Sequence, residues 1–152
     1  MDKCNKNLFK KTEATLYNYK NLEVKITNLD IDIESLKNNY QGIAPISYKE
    51  RSQSTNKFNS VVENEVINRE ENIGDLIKEL ERDKNYNINL KRKIDNALRT
   101  LPEESFKLVK LRYFNGKQTW TAIGRKLNMD KDYCCRKRCE IIESLGKLIY
   151  NF

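Results

Sequence analysis

The chain of 152 residues is long enough for one ordinary domain, or for a small globular domain joined to an extended helical element. Charged residues make up 34% and hydrophobic residues 38%, and the five glycines and two prolines are too few for a sandwich, a barrel or a doubly wound sheet. We therefore predict an all-α protein, and its net charge of +7 indicates an anionic partner.

The first residues, MDKCNKNLFKK, lack the apolar core of a signal peptide, and no later stretch approaches the roughly 20 apolar residues that a membrane-spanning helix needs. We therefore expect a soluble, cytoplasmic protein with no membrane partner. In a reducing compartment the cysteines stay thiols, and their spacing forms no disulfide framework. They are Cys4, Cys134, Cys135 and Cys139.

A heptad seam begins near the start of the chain. Apolar or tolerated residues recur in alternating steps of four and three, which is typical of a long helix with a narrow apolar stripe. They are Leu8, Thr12, Thr15, Tyr19, Leu22, Ile26, Leu29, Ile33, Leu36 and Tyr40. Such a stripe cannot bury itself, so we expect a partner helix.

A second seam supplies that helix. Its members are Val62, Val66, Arg69, Ile73, Leu76, Leu80, Asp83, Asn87, Leu90, Ile94, Ala97 and Leu101. Gly42, Pro45 and a polar cluster break any helix between the seams. We predict a helical hairpin over residues 1–98 with a linker at about 41–56. The linker lets the helices pack antiparallel in one chain or pair with a second chain, so the seams serve core packing, or else dimerisation or partner docking.

The segment 99–152 follows a change in charge. Residues 96–152 hold 12 Lys and Arg against 6 Asp and Glu, whereas residues 1–95 hold 17 against 16. We therefore expect the surface for the anionic partner in this last third.

Turn and cap residues divide this segment into three helices. Pro102 suits the first turn of a helix, which we expect to run to about Phe114. The Asn115–Gly116 pair tolerates positive φ and predicts a turn. Thr119 is placed to N-cap a short helix that ends at Leu127.

A second tight turn separates the last two helices. Asn128 can take the left-handed conformation, and Asp130 is placed to cap a helix that starts at Lys131. Gly124 costs about 1 kcal/mol relative to Ala inside a helix, so we attribute it to a close crossing of the two helices. Two helices joined by such a turn, the second strongly basic, predict a helix-turn-helix. Its predicted core is Leu101, Phe106, Val109, Tyr113, Trp120, Ile123, Leu127, Met129, Cys134, Ile141 and Leu145.

The last helix supplies the candidate binding residues. Side chains near the N-terminal end of a recognition helix reach base edges of double-stranded DNA, so we assign base contacts to Lys131, Asp132 and Arg136. Asp132 can accept from a cytosine amino group, and Arg136 can grip guanine. The phosphate contacts are assigned to Arg125, Lys126, Lys137, Arg138 and Thr119. The alternative for each basic residue is a solvated surface side chain.

Other chemistry is not indicated. Without His or a C-x2-C pair, the sequence lacks the ligands of a structural zinc site, so Cys134 is interpreted as a small core residue and Cys135 and Cys139 as incidental thiols. The sequence also lacks a phosphate-cradling glycine loop and a nucleophile beside an activating base. We expect no metal, no cofactor and no enzyme.

The string LPEESFKLVKLRYFNGKQTWTAIGRKLNMDKDYCCRKRCEII resembles the fourth conserved region of bacterial sigma factors. The shared features are the Leu-Pro start, the Leu111–Tyr113 triplet, Gly116, Ile123-Gly124, Leu127 and a basic last helix. With its long N-terminal helix and the SYKERSQSTN linker, the chain as a whole resembles sigma-like phage and prophage regulators of the ArpU and RinA type.

This resemblance implies a helix-turn-helix transcription regulator that activates phage or prophage late genes. For the N-terminal hairpin we expect a contact with RNA polymerase, and from the two seams a homodimer formed through the N-terminal helices. Two alternatives stay open at this point. One is a DNA-packaging protein like the small terminase subunit, or an architectural DNA-binding protein. The other is a coiled-coil adaptor that binds RNA polymerase without DNA.

Overall fold

The computed structural model describes residues 3–41, 61–116 and 118–150. Across these ranges it contains α-helices and no strand, which confirms the all-α prediction. The helices are α1 (Lys3–Tyr17), α2 (Tyr19–Gln41), α3 (Val61–Arg99), α4 (Glu103–Val109), α5 (Trp120–Leu127) and α6 (Lys131–Tyr150), and α4 continues into a π-helical turn, Lys110–Phe114. Within the same ranges every helix is too short or too polar to cross a bilayer.

The chain forms two compact units, which do not follow the predicted boundary between residues 98 and 99. One unit consists of residues 1–25 together with 87–152, and we call it the basic unit; the other consists of residues 26–86. The difference arises because α1 packs against α6 and joins the C-terminal helices in one core. The predicted hairpin 1–98 is therefore shared between the two units.

The first seam is not one continuous helix, because α1 ends at Tyr17 and α2 begins at Tyr19. At Asn18 the backbone N–H still donates to the Ala14 carbonyl at 3.1 Å, while the Asn18 carbonyl accepts from Asn21 N at 2.9 Å. The break changes which residues are buried: Leu16 is fully buried, although the seam predicted Thr15 and Tyr19. The physical reason is that α1 packs on α6 rather than continuing along α3.

In the unit 26–86, α2 and α3 pack antiparallel within one chain. Lys37 Nζ lies 3.0 Å from Glu81 Oε1, and Lys84 Nζ lies 2.5 Å from Asp30 Oδ1. Residue numbers therefore rise along α3 as they fall along α2, so the two helices run in opposite directions. The seam residues that α2 contributes here are buried or half-buried: Ile26, Leu29, Ile33 and Leu36. The stripe on α2 is therefore covered without a second chain.

The second seam departs from its prediction at two of the described positions. Leu76 is 44% exposed and Asp83 is exposed, whereas Ile77 and Lys84 are half-buried in their place. A helix has 3.6 residues per turn, so a step of four can replace a predicted step of three on the same face. The later members Asn87, Ile94 and Ala97 are buried as predicted. Apart from Gln41, the predicted linker at about 41–56 lies outside the described residues, as do the side chains of Tyr40, Val62, Val66 and Arg69.

The core of the basic unit contains most of the predicted tri-helical core. The buried predicted members are Val109, Tyr113, Ile123, Cys134, Ile141 and Leu145. Phe106 is a correction, since it is 36% exposed. At about 100° per residue it points away from Leu108, two positions later, which is the residue that α4 buries. The core also takes Ile142 and Ile149 from α6, which the sequence analysis missed.

A glycine brings α1 and α6 together. A Cβ added at Gly146 would lie 2.7 Å from Thr12 Oγ1 and 3.2 Å from Leu8 Cγ, so the two helices approach more closely than any larger residue permits. Thr12 is fully buried there, and its hydroxyl donates to the Leu8 carbonyl at 2.8 Å. A second link joins Thr15 Oγ1 and the Tyr150 hydroxyl at 2.6 Å. α1 is therefore an integral part of the C-terminal fold.

Candidate nucleic-acid interface

The turn before α5 and the N-cap of this helix form as the sequence predicts. Gly116 has a φ of +87°, which a residue with a Cβ rarely adopts. The Thr119 hydroxyl accepts from Ala122 N at 3.3 Å and caps the helix, which ends at Leu127. These local features confirm the predicted bounds of α5.

The turn between α5 and α6 is also confirmed. Asn128 has a φ of 55° and a ψ of 43°, the left-handed conformation. The Asp130 carboxylate accepts from Asp132 N at 2.8 Å and Tyr133 N at 3.4 Å, so it caps α6. α6 begins at Lys131. The capped first turn holds the side chains at positions 131 to 133 in a defined geometry.

Gly124 is required by a close contact, but with the turn rather than with the body of α6. A Cβ at this position would lie 2.6 Å from the Met129 carbonyl oxygen and 3.7 Å from Lys131 N. Both are backbone atoms, which cannot move aside as the end of a flexible side chain can. Gly124 therefore sets the spacing between α5 and the start of α6.

All three residues assigned to base contacts lie on the exposed surface of α6. Lys131, Asp132 and Arg136 are exposed, while Cys134 between them is buried in the core, as predicted. Tyr133 is 41% exposed beside them and was missed by the sequence analysis. An exposed aromatic residue on this turn adds a surface that can pack against a thymine methyl group or a sugar.

Three of the residues assigned to phosphate contacts lie at the two ends of α5. Arg125 and Lys126 are exposed on the last turn of α5. Lys126 Nζ donates to Gln118 Oε1 at 2.9 Å, which draws it toward the start of α5. Thr119 is exposed and uses its oxygen for the N-cap. These side chains lie on α5 or at its N-cap, directly before α6 along the chain.

Arg138, which the sequence assigns to a phosphate contact, instead forms an ion pair with Glu13 of α1. Its Nη2 lies 2.6 Å from Glu13 Oε1 and its Nε donates to the same oxygen at 3.0 Å, which ties α6 to α1. The sequence held a signal for this position: Arg138 follows Cys134 by four residues and precedes Ile141 by three, so it lies on the buried face. Lys137, half-buried, pairs with Glu140 at 3.3 Å.

The hydroxyl of Tyr113 contacts both members of the Glu13–Arg138 ion pair. The Tyr113 hydroxyl donates to Glu13 Oε1 at 2.8 Å and lies 3.3 Å from Arg138 Nε. Burial raises the pKa of Tyr113 above its usual value; the hydrogen bond with Arg138 acts against this, and the bond to Glu13 adds to it. Burial alone would lower the pKa of Arg138, but hydrogen bonds to Glu13 and Tyr113 outweigh it and raise that pKa. The cluster is therefore a fixed ion pair that holds α1, the π-helical turn and α6 together.

Aromatic contacts link the same cluster to the start of α5. Arg112 Cζ lies 4.7 Å from the centre of the Trp120 ring, and Arg138 Cζ lies 5.7 Å from it. Arg112 Nη1 also donates to the Gln118 carbonyl at 2.7 Å. Arg112 thus links the π-helical turn to Trp120, the first residue of α5, and to Gln118 just before that helix. This link was not predicted from the sequence.

The two compact units differ more in net charge than residues 1–95 and 96–152 do. The basic unit holds 21 Lys and Arg against 10 Asp and Glu, a net charge of +11, whereas residues 26–86 hold 8 against 12, a net charge of −4. The unit that contains α5 and α6 therefore carries all of the excess positive charge. Such a distribution favours contact with a polyanion through this unit.

The chain belongs to a family of proteins of unknown function (DUF722), which matches residues 8–147. The match includes most of α1 and most of α6, the two helices that the Glu13–Arg138 pair joins. No curated protein and no solved structure matches the chain.

Proposed function

We propose that this protein is a sequence-specific regulator of transcription that binds double-stranded DNA through α5 and α6. The observation that carries the proposal is the exposed start of α6. Its first two turns are capped and held by the core, and they present Lys131, Asp132 and Arg136 outward. This is the arrangement by which a helix-turn-helix places side chains in the major groove.

One group of exposed residues is suited to select the DNA sequence, and another is suited to supply affinity. Arg136 and Lys131 can donate to the N7 and O6 acceptors of guanine, and Asp132 can accept from a cytosine amino group. Arg125 and Lys126, on α5, are suited to phosphates and give salt-dependent affinity. The net charge of +11 on the basic unit supports the same partner.

The resemblance to sigma-like phage regulators gives the proposal its biological setting. It favours an activator of phage or prophage late genes, acting in the cytoplasm, where the DNA and RNA polymerase are. Three of the residues that carry the resemblance lie in α5 or in the turn before it: Gly116, Gly124 and Leu127.

Selection from a random duplex library tests the proposal. The full chain is expected to enrich a defined sequence motif, and its affinity for that motif should fall steeply as salt rises, because phosphate contacts release counterions. Binding to mixed-sequence duplex should be weaker at the same salt. Failure to retain any duplex at low salt, by a folded protein, would contradict the proposal.

A further inference from the structure

α1 turns different sides toward the two halves of α6. The Phe9 ring centre lies 5.1 Å from Arg138 Cζ, and Glu13 binds the same guanidinium, whereas Thr12 meets Gly146 near the other end of α6. Arg138 is the nearer of the two α6 positions to the exposed start of that helix. The Phe9–Glu13 side of α1 therefore borders the half of α6 that carries the candidate base contacts.

Two lysines continue this side toward the start of α1. Lys6, Lys10, Glu13 and Tyr17 are spaced by four, three and four residues, so they form one row along the helix. The C-terminal members of the row are anchored, Glu13 on Arg138 and Tyr17 edge-on to the Tyr113 ring at 4.7 Å. The N-terminal members, Lys6 and Lys10, are exposed.

The charge of this row is not balanced within its own helix. The first turn of α1 holds no acidic residue, and Glu13, the one acidic residue of α1, already pairs with Arg138. Lys6, in the first turn of α1, adds positive charge at the positive end of the helix dipole. An anion bound beside Lys6 would offset this, and the row lies on the side of α1 that borders the first half of α6.

We propose that Lys6 and Lys10 contact DNA phosphates that flank the bases read by α6, so that α1 is a second DNA-contacting element. This inference rests on the proposed function, since it needs DNA at the start of α6. Two ammonium groups on a helical row are point charges, which suit phosphate oxygens and carry no base preference. α1 therefore adds affinity and fixes orientation on the duplex without changing the selected motif.

The test compares two double variants of the full chain on a short mixed-sequence duplex. Lys6→Ala with Lys10→Ala removes the proposed contacts. Lys107→Ala with Lys147→Ala removes the same charge from exposed lysines that pair with Glu103 and Glu143 on α4 and on the last turns of α6. Each phosphate contact contributes about 0.9 to the slope of log affinity against log salt.

We expect the Lys6/Lys10 variant to lose about two units of that slope and to bind more weakly at low salt, while the control variant keeps the wild-type slope. The charge-preserving Lys6→Arg with Lys10→Arg variant should bind as the wild type does. Equal slopes for both alanine variants, with the wild type binding duplex, would overturn this inference alone. A wild-type protein that binds no duplex would overturn the proposed function and this inference together. Circular dichroism confirms the fold of each variant.

Discussion

At the scale of the residue, Gly124 has a role that a single substitution can measure. Gly124→Ala adds a Cβ 2.6 Å from the Met129 carbonyl oxygen, so either α5 or the turn must move. We expect the free energy of unfolding to fall by about 1–3 kcal/mol, despite the better helix propensity of Ala. Urea denaturation measures it. The control is Gly74→Ala, which meets nothing within 4 Å and should be neutral or stabilising.

Arg138 offers a test of two roles at one position. If its role is to hold Glu13, Arg138→Gln lowers the free energy of unfolding by about 1–3 kcal/mol, because it strands a mostly buried carboxylate. The salt slope of DNA binding should stay at its wild-type value. The control, Arg125→Gln, should do the reverse and lower the slope by about one unit at nearly unchanged stability. A stable Arg138→Gln protein with a reduced slope would restore Arg138 as a phosphate contact.

Tyr19 makes stability depend on alkaline pH. Burial, and then its hydrogen bond to Asp95, raise the pKa of Tyr19 to about 12. Its pKa in the unfolded chain is about 10. The contribution is thus complete below about pH 10 and is lost as pH rises toward about 12. Between these values, urea denaturation should show a smaller loss of stability for Tyr19→Phe than for the wild type. Equal losses would contradict this.

The residue assignments that the sequence supported are those set by short-range physics. Caps, left-handed turns and a glycine at a close approach act within a few residues, so Thr119, Asn128, Asp130 and Gly124 were all predictable. Arg138 was not, because its partner Glu13 lies 125 positions away. Periodicity put Arg138 on the buried face, but no local rule pairs a buried arginine with a carboxylate at that separation.

At the scale of the element, α1 is the helix whose place the sequence did not predict. Its stripe was interpreted as continuous with that of α2, because four-three spacing persists across Asn18. Spacing gives the face of a helix that is buried but not the helix that covers it. For α1 that helix is α6, and the signal lies in Gly146, which fits a close helix contact only once the partner is known.

The dependence of the C-terminal helices on α1 can be tested with fragments. Residues 99–152 lack α1 and the buried end of α3, so we expect this fragment to unfold without a cooperative transition. Residues 87–152 should gain a cooperative transition when a peptide of residues 1–25 is added. Thermal denaturation followed by circular dichroism measures both. A cooperative transition in 99–152 alone, at the stability of the full chain, would support the boundary that the sequence predicted.

At the scale of the whole molecule, charge and packing divide the chain in the same way. The basic unit carries a net charge of +11 and all residues assigned to DNA, and residues 26–86 carry a net charge of −4. A linear count places the excess charge in residues 96–152, because it cannot group α1 with helices more than 80 residues later along the chain. Folding brings the lysines of α1 into the unit that holds α6.

Binding of the selected motif by a Lys131→Ala and Arg136→Ala variant shows whether α6 reads the bases. The matched control is again Lys107→Ala with Lys147→Ala, which removes the same charge. We expect the first variant to bind the motif no better than mixed-sequence duplex, at the cost of about 1–3 kcal/mol for each lost base contact. The control should retain its preference for the motif. If the folded Lys131/Arg136 variant keeps both the affinity and the preferred sequence of the wild type, α6 is not the recognition helix.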